Sequence, residues 1–180
     1  VNTPPGAYDL YSEHATLSSL ARLIFERPDV RRWLFKIDDE FGGRGHAWLD
    51  APSLPSHSAL AREKERSMQL WLDPAKQEAA VGKILEELVR LVPKKAQVGR
   101  RELYPTWEAF LETFCRVGGV IEAVPNAACD CPSANLLIEP GGGVVLHSTH
   151  DHLWTADYRH VAAACPQRSA AHAAVRDAAA

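Results

Sequence analysis

Apolar positions recur at helical spacing in three stretches of this chain, and short aromatic or β-branched runs separate them. Leu17, Leu20, Ala21, Ile24 and Phe25 share one face of a helix over residues 16–27, which Pro28 ends. Val81, Ile84, Leu85, Leu88, Leu91 and Val92 form a second stripe, starting from Ala75 and closed by Pro93, with Glu86, Glu87 and Arg90 outside it. Thr106 caps a third helix with the stripe Trp107, Phe110, Leu111 and Phe114, ended by Gly118 and Gly119. Between these lie strands at 32–37, 46–49 and 120–124. A hairpin pairs 135–139 with 144–148 across Pro140 and three glycines. Residues 51–74 read as a loop passing into a charged helical turn over 63–72, and Ser169 starts a final helix that meets no terminator. Hairpins alternating with helices predict an α+β fold, antiparallel hairpins flanked by helices.

Composition narrows the class. With 46% hydrophobic residues and five Trp in 180 residues, there is enough apolar material for a core. No apolar run approaches the ~20 residues that cross a bilayer, so no membrane partner is expected. Cysteines at 115, 129, 131 and 165 are too few and too unevenly spaced for the disulfide framework of a small secreted domain, which points to a reducing, cytoplasmic compartment. Residues 61–101 hold ten of the twenty Lys and Arg against six acids, whereas 102–180 hold four bases against nine acids. The basic middle reads as a solvated helix face or as a surface for an acidic partner. The acidic remainder argues against a continuous nucleic-acid surface. Both ends read as cut, so the chain is expected to be a fragment, incomplete at its C-terminal end.

The first candidate site lies in residues 33–50. Lys36 sits inside a strand and is followed by Asp38, Asp39 and Glu40, then Gly42, Gly43, Arg44 and Gly45. Glycines at positive φ turn several N–H groups toward one point, as loops that cradle phosphate do, and a lysine on the strand adds a full charge. The three acids fit a phosphate that arrives with magnesium, or they clamp Arg44 and hold the loop; an ordinary hairpin turn with solvated charges has the same composition. The pattern has neither the Walker signature nor the spacing of a dinucleotide-binding loop.

Four segments carry a family resemblance: FKIDDEFGGRGHAWLD, the phrase GGVIEAVP at 118–125, SANLLIEPGGGVVLHSTHDH at 133–152, and PQRSAAHAAVRDAA at 166–179. Together they resemble the ATP-grasp region of the IQ-motif-containing protein H family, itself similar to peptide-ligase-type ATP-grasp enzymes. The resemblance implies an ATP-grasp-like domain built from residues 1–50, 51–101 and 102–180, with ATP and magnesium as cofactors. It makes Lys36 the lysine that reaches nucleotide phosphates and Gly42, Gly43, Arg44 and Gly45 the loop over them. Glu122 and Ala123 become the hinge whose backbone meets adenine. The family's magnesium-chelating Glu-x-Asn pair follows the helix that begins here near Ser169, so this chain holds no metal ligand and no catalytic residue is assigned. The resemblance further implies a cilium or flagellum axoneme, with tubulin or calmodulin partners through regions outside the chain. Two functions follow: an ATP-binding module of carboxylate-amine ligase type, or a catalytically silent scaffold in an axonemal or microtubule assembly.

A second constellation joins His147, His150, Asp151 and His152 with Cys129 and Cys131 upstream. Imidazole and thiolate suit zinc, but the spacing matches no zinc finger, and the resemblance singles out Asp151 within a Ser-Thr-x-Asp segment instead. No nucleophile with its base is legible in the spacing. Cys115 and the aromatic stripe around it read as core.

Overall fold

A hairpin carrying Trp33, Phe35 and Ile37 on one side organises the larger of two units. The computed structural model describes residues 3–66, 72–127 and 130–179, and these divide at residue 126 into units of 1–126 and 127–180. In chain order the first unit runs β1 (Gly6–Leu10), α1 (Glu13–Glu26), β2 (Arg32–Ile37), β3 (His46–Asp50), a 3-10 turn (Ala51–Ser53), α2 (Pro55–Arg66), α3 (Pro74–Lys95), β4 (Gln97–Val98), α4 (Trp107–Val117) and β5 (Gly119–Ala123). Its antiparallel sheet has the order β1-β5-β2-β3-β4, so β5 and β2 lie inside it.

Strand alternation gives this sheet two unlike faces. Trp33, Phe35 and Ile37 point to one, where all three are buried, while Arg32, Leu34 and Lys36 point to the other. Phe35 meets Trp107 and Phe114 of α4 edge-on, at centroid separations of 5.1 and 6.3 Å. Phe110 stacks between Trp107 and Phe114, at 5.6 and 5.9 Å. Such edge-to-face and offset pairs add to the area these rings bury. The helix can approach this closely because Gly119 has no side chain. A Cβ there would lie 2.3 Å from Phe114 Cε2 and 2.6 Å from the Lys36 carbonyl oxygen.

Local signals account for most helix ends. Ser12 Oγ accepts the Ala15 N–H at 3.2 Å and starts α1 one turn earlier than the apolar stripe indicates. Asp73 caps α3 through the N–H groups of Ala75 and Lys76, and Thr106 caps α4 through that of Ala109. Two expectations fail. Pro93 does not close α3, which continues to Lys95: a proline there costs only the bond to the Val89 carbonyl, on the exposed side of the last turns, and the Ala96 N–H to Val92 ends the helix instead. The loop expected from residue 51 is helix from Pro55. Proline suits the first helical position, and the cap comes from far along the chain, the Ser56 N–H donating to Glu87 Oε2 at 3.1 Å. Part of the helical turn expected over 63–72 lies outside the described residues.

The second unit is a three-stranded antiparallel sheet, β6 (Pro132–Ile138), β7 (Val144–Trp154) and β8 (His160–Ala164), followed by α5 (His172–Ala179). The Gly-rich hairpin pairs Ile138 with Val144 and Leu137 with Val145, then slips by one residue at a bulge after Asn135. Among the described residues no helix is long and apolar enough to cross a membrane. The units together make an α+β fold of helices and antiparallel sheets.

Two glycines separate close packing from helix propensity. Gly119→Ala is expected to destabilise the chain by about 2 kcal/mol or more in urea unfolding, the cost of overpacking beside Phe114. Gly82→Ala, in α3 with open space around it, is expected to stabilise by about 0.5–1 kcal/mol. Equal effects would contradict the packing described.

Candidate functional site

The outer face of the first sheet carries the charged side chains. Lys36 stands on β2 and Glu122 on β5, which is paired to it so that Leu34 faces Glu122 and Lys36 faces Val120. The two side chains therefore lie diagonally on one face, and the Lys36 ammonium donates to Glu122 Oε2. Both are partly exposed. On the same face Arg32 grips Asp50 through Nε and Nη2, at 2.6 and 3.1 Å, and lies over the Trp48 ring.

The glycine loop, residues 38–45, begins two residues beyond Lys36. Ile37 N–H donates to the Gly45 carbonyl at 3.0 Å and closes the base of the loop, while Gly42 and Gly43 take φ of 66° and 83°. Inside it, the closing bonds use the N–H groups of Glu40 and Arg44. Arg44 Nε lies 3.2 Å from Glu40 Oε2, and the other Glu40 oxygen accepts from the Tyr104 hydroxyl at 3.2 Å. Burial, then the Glu40 charge, pushes the Tyr104 phenol up from its ordinary value. One of the three acids is thus a clamp on Arg44 that fastens the loop to residue 104. Phe41, at the tip, is 83% exposed.

Lys36 and Glu122 are brought together, and Gly42, Gly43, Arg44 and Gly45 follow at the strand end. Ala123 is placed differently. It pairs with Trp33, on the core side of the sheet, and its N–H donates to the Pro5 carbonyl at 2.8 Å. The next N–H, of Val124, donates to the Arg32 carbonyl at 3.0 Å, and Asn126 is bonded to residues 29 and 31. The segment after β5 is sewn to the start of β2, and the N–H groups of Ala123 and Val124 are taken by the Pro5 and Arg32 carbonyls.

In the second unit Asp151 Oδ2 accepts the N–H groups of Arg168 and Ser169, at 2.9 and 3.1 Å. The Arg168 N–H holds the carboxyl below the ordinary aspartate range against an opposing effect of desolvation, with Ser169 and Gln167 helping. His152 Nδ1 lies 2.9 Å from His160 Nε2, and His152 Nε2 lies 2.8 Å from Ser133 Oγ. This Ser133–His152–His160 chain was invisible in the spacing, because the β7–β8 hairpin brings in His160. His150 stands apart, its ring 6.4 Å from that of His152, and Cys129 lies outside the described residues. Among the described residues no group of three or more His, Cys, Asp or Glu is placed to hold a metal ion.

A family model described as "IQCH-like, ATP-grasp" matches residues 1–180. "IQ motif-containing protein H" of Danio rerio is 40% identical over 155 residues, which cover 85% of this chain and 15% of that protein. The chain thus spans about 15% of the length of the curated relative it matches. No solved structure matches.

The Asp151 turn has a pH signature. Its folded pKa lies below the unfolded value of about 3.9, so the bonds it accepts are fully held above that value and lost as pH falls through the depressed folded value. The amide proton resonances of Arg168 and Ser169 are expected to titrate together with a midpoint below about 3.9, and Asp151→Asn is expected to abolish the titration. A midpoint at or above the ordinary value would count against the arrangement.

Proposed function

This chain belongs to the IQCH-like, ATP-grasp family, and from that we propose that its first unit binds the phosphates of ATP on the outer face of the sheet. The observation that carries this reading is the placement of Lys36 and Glu122 on one face, immediately before a loop with two positive-φ glycines. The donor set fits a phosphate. Lys36 supplies a full charge, a Cβ at Gly42 would meet nothing within 4 Å, so ligand atoms have room there, and Glu40 is engaged by Arg44 and Tyr104. ATP and magnesium are the cofactors of this reading, and no magnesium ligand is assigned to this chain. In a complete enzyme of this type ATP would phosphorylate a carboxylate, and an amine would then displace the phosphate to form an amide bond. Within this chain Lys36 orients the phosphates and the 38–45 loop covers them.

A second reading rests on the same residues. Glu122 neutralises Lys36, and the N–H groups of Ala123 and Val124 are committed to the sheet, as in a domain kept for its surface. On that reading the domain is a scaffold in the axoneme of a cilium or flagellum, a cytoplasmic setting, with tubulin or calmodulin as partners of the longer protein. The family resemblance supports that setting.

A melting experiment separates binding from its absence. ATP with magnesium at a hundred times its dissociation constant stabilises a folded protein by about 2.7 kcal/mol. The chain is expected to melt higher with ATP and magnesium, Lys36→Ala to lose most of that rise, and Arg22→Ala, in a remote surface ion pair with Glu78, to keep it. No rise in the unaltered chain would sink the nucleotide reading. A rise without any release of phosphate favours the scaffold.

A further inference from the structure

Along the flank of α4, beside the start of α1 and the end of α3, runs a shallow groove of about 320 Å³ whose floor is the edge of the core. Trp107, Leu111 and Cys115, spaced four apart along the helix, line its apolar floor together with Pro93 of α3. Its rim is acidic: Glu108 and Glu112 stand one helical turn apart beside the floor, and Glu13 of α1 is the third carboxylate. Groove volumes at small-molecule sites run from about 300 to 1,000 Å³, so this one has room for one or two side chains rather than a buried ligand.

Among the described residues no ion pair takes up the three rim carboxylates, although Arg116 follows Glu112 by four residues on α4. The described ion pairs of this unit take Glu78, Asp29, Asp50, Glu122, Glu40, Asp73 and Glu102 instead. Glu13 and Glu108 lie in the first turns of their helices, where a carboxylate complements the helix dipole. Glu112 lies mid-helix and has no such role. The Cys115 thiol registers the same field: burial, then the Glu13 charge, raises its pKa. An uncharged occupant would remove water from three carboxylates without compensation, whereas a cationic one gains from each.

We propose that this groove docks a basic amphipathic helix of a partner protein, with an apolar side chain over Trp107, Leu111 and Cys115 and two Lys or Arg residues four apart against Glu108 and Glu112. The match is one of pitch as well as charge. Residues four apart on a helix lie about 6 Å apart along its axis, so an antiparallel helix beside α4 presents its cations at the spacing of the two glutamates. A third basic residue on the other flank meets Glu13. The groove lies on a different part of the unit from the Lys36 face, so docking does not depend on nucleotide binding.

The test uses the whole chain with Cys129, Cys131 and Cys165 changed to Ser, leaving Cys115 as the one thiol. The probe is an 18-residue helical peptide with a leucine stripe flanked by lysines, and its control has glutamate in place of each lysine. The lysine peptide is expected to bind in fluorescence anisotropy and to slow alkylation of Cys115 several-fold. The double variant Glu108→Lys/Glu112→Lys is expected to weaken it at least tenfold and to bind the glutamate peptide instead. Both positions are on the helix surface, and a circular dichroism melt checks that the variant folds. Three results would each overturn the proposal: no binding by the lysine peptide, equal binding of both peptides, or binding that leaves Cys115 alkylation unchanged. A chain that sediments as a dimer dissociated by the double variant would also overturn it, because the groove would then hold a second copy.

Discussion

Phe35 is fully buried between Trp107 and Phe114, and the rest of the first unit is arranged around that contact. Successive side chains of a strand point to opposite faces, so once Phe35 is pinned against α4, Lys36 must project from the other side. Pairing with β5 then sets Glu122 diagonally beside it. A slip of one residue in β2 would bury the ammonium among aromatic rings, at the cost of an uncompensated charge. Gly119 secures the register, since only a residue without a side chain fits between Phe114 and the Lys36 carbonyl.

From this constraint follows a division of labour within a thin sheet. One face is dry and aromatic, while the other holds the Lys36–Glu122 pair, the Arg32–Asp50 pair and Trp48. A partly exposed ion pair contributes little to stability, so the Lys36–Glu122 contact acts chiefly by holding the ammonium over β5. On the proposed reading, an incoming phosphate would compete with one carboxylate for that ammonium. The loop beside it is braced by Glu40, which links Arg44 to Tyr104; Gly43 and Gly45 are buried, while Gly42 has open space around it and Phe41 at the tip is exposed.

The elements written into local sequence were legible. The β2–β3 hairpin, the stripe on α4 and its Thr106 cap, and the Gly-rich hairpin of the second unit are where short-range pattern places them, because aromatic alternation, a capping hydroxyl and a glycine turn act over a few residues. What escaped depends on distant partners. Helix α2 is capped by Glu87, thirty-one residues beyond Ser56. Strand β1 has no apolar alternation and exists because β5 offers an open edge to Gly6–Leu10. For the site, residue types and the loop were readable, but not that Glu122 reaches Lys36 across the sheet or that the N–H of Ala123 belongs to Pro5. The Ser133–His152–His160 chain likewise needs three strands in register.

The central claim is that the ammonium of Lys36, displayed by the burial of Phe35, meets the phosphates of a nucleotide. The most direct measurement is the rate at which an amine-acylating reagent modifies Lys36, followed by mass spectrometry with and without ATP and magnesium. Nucleotide is expected to slow acylation of Lys36 several-fold while Lys76 and Lys83, on α3, react at unchanged rates. An unchanged rate at Lys36, at nucleotide concentrations that raise the melting temperature fully, would contradict the account.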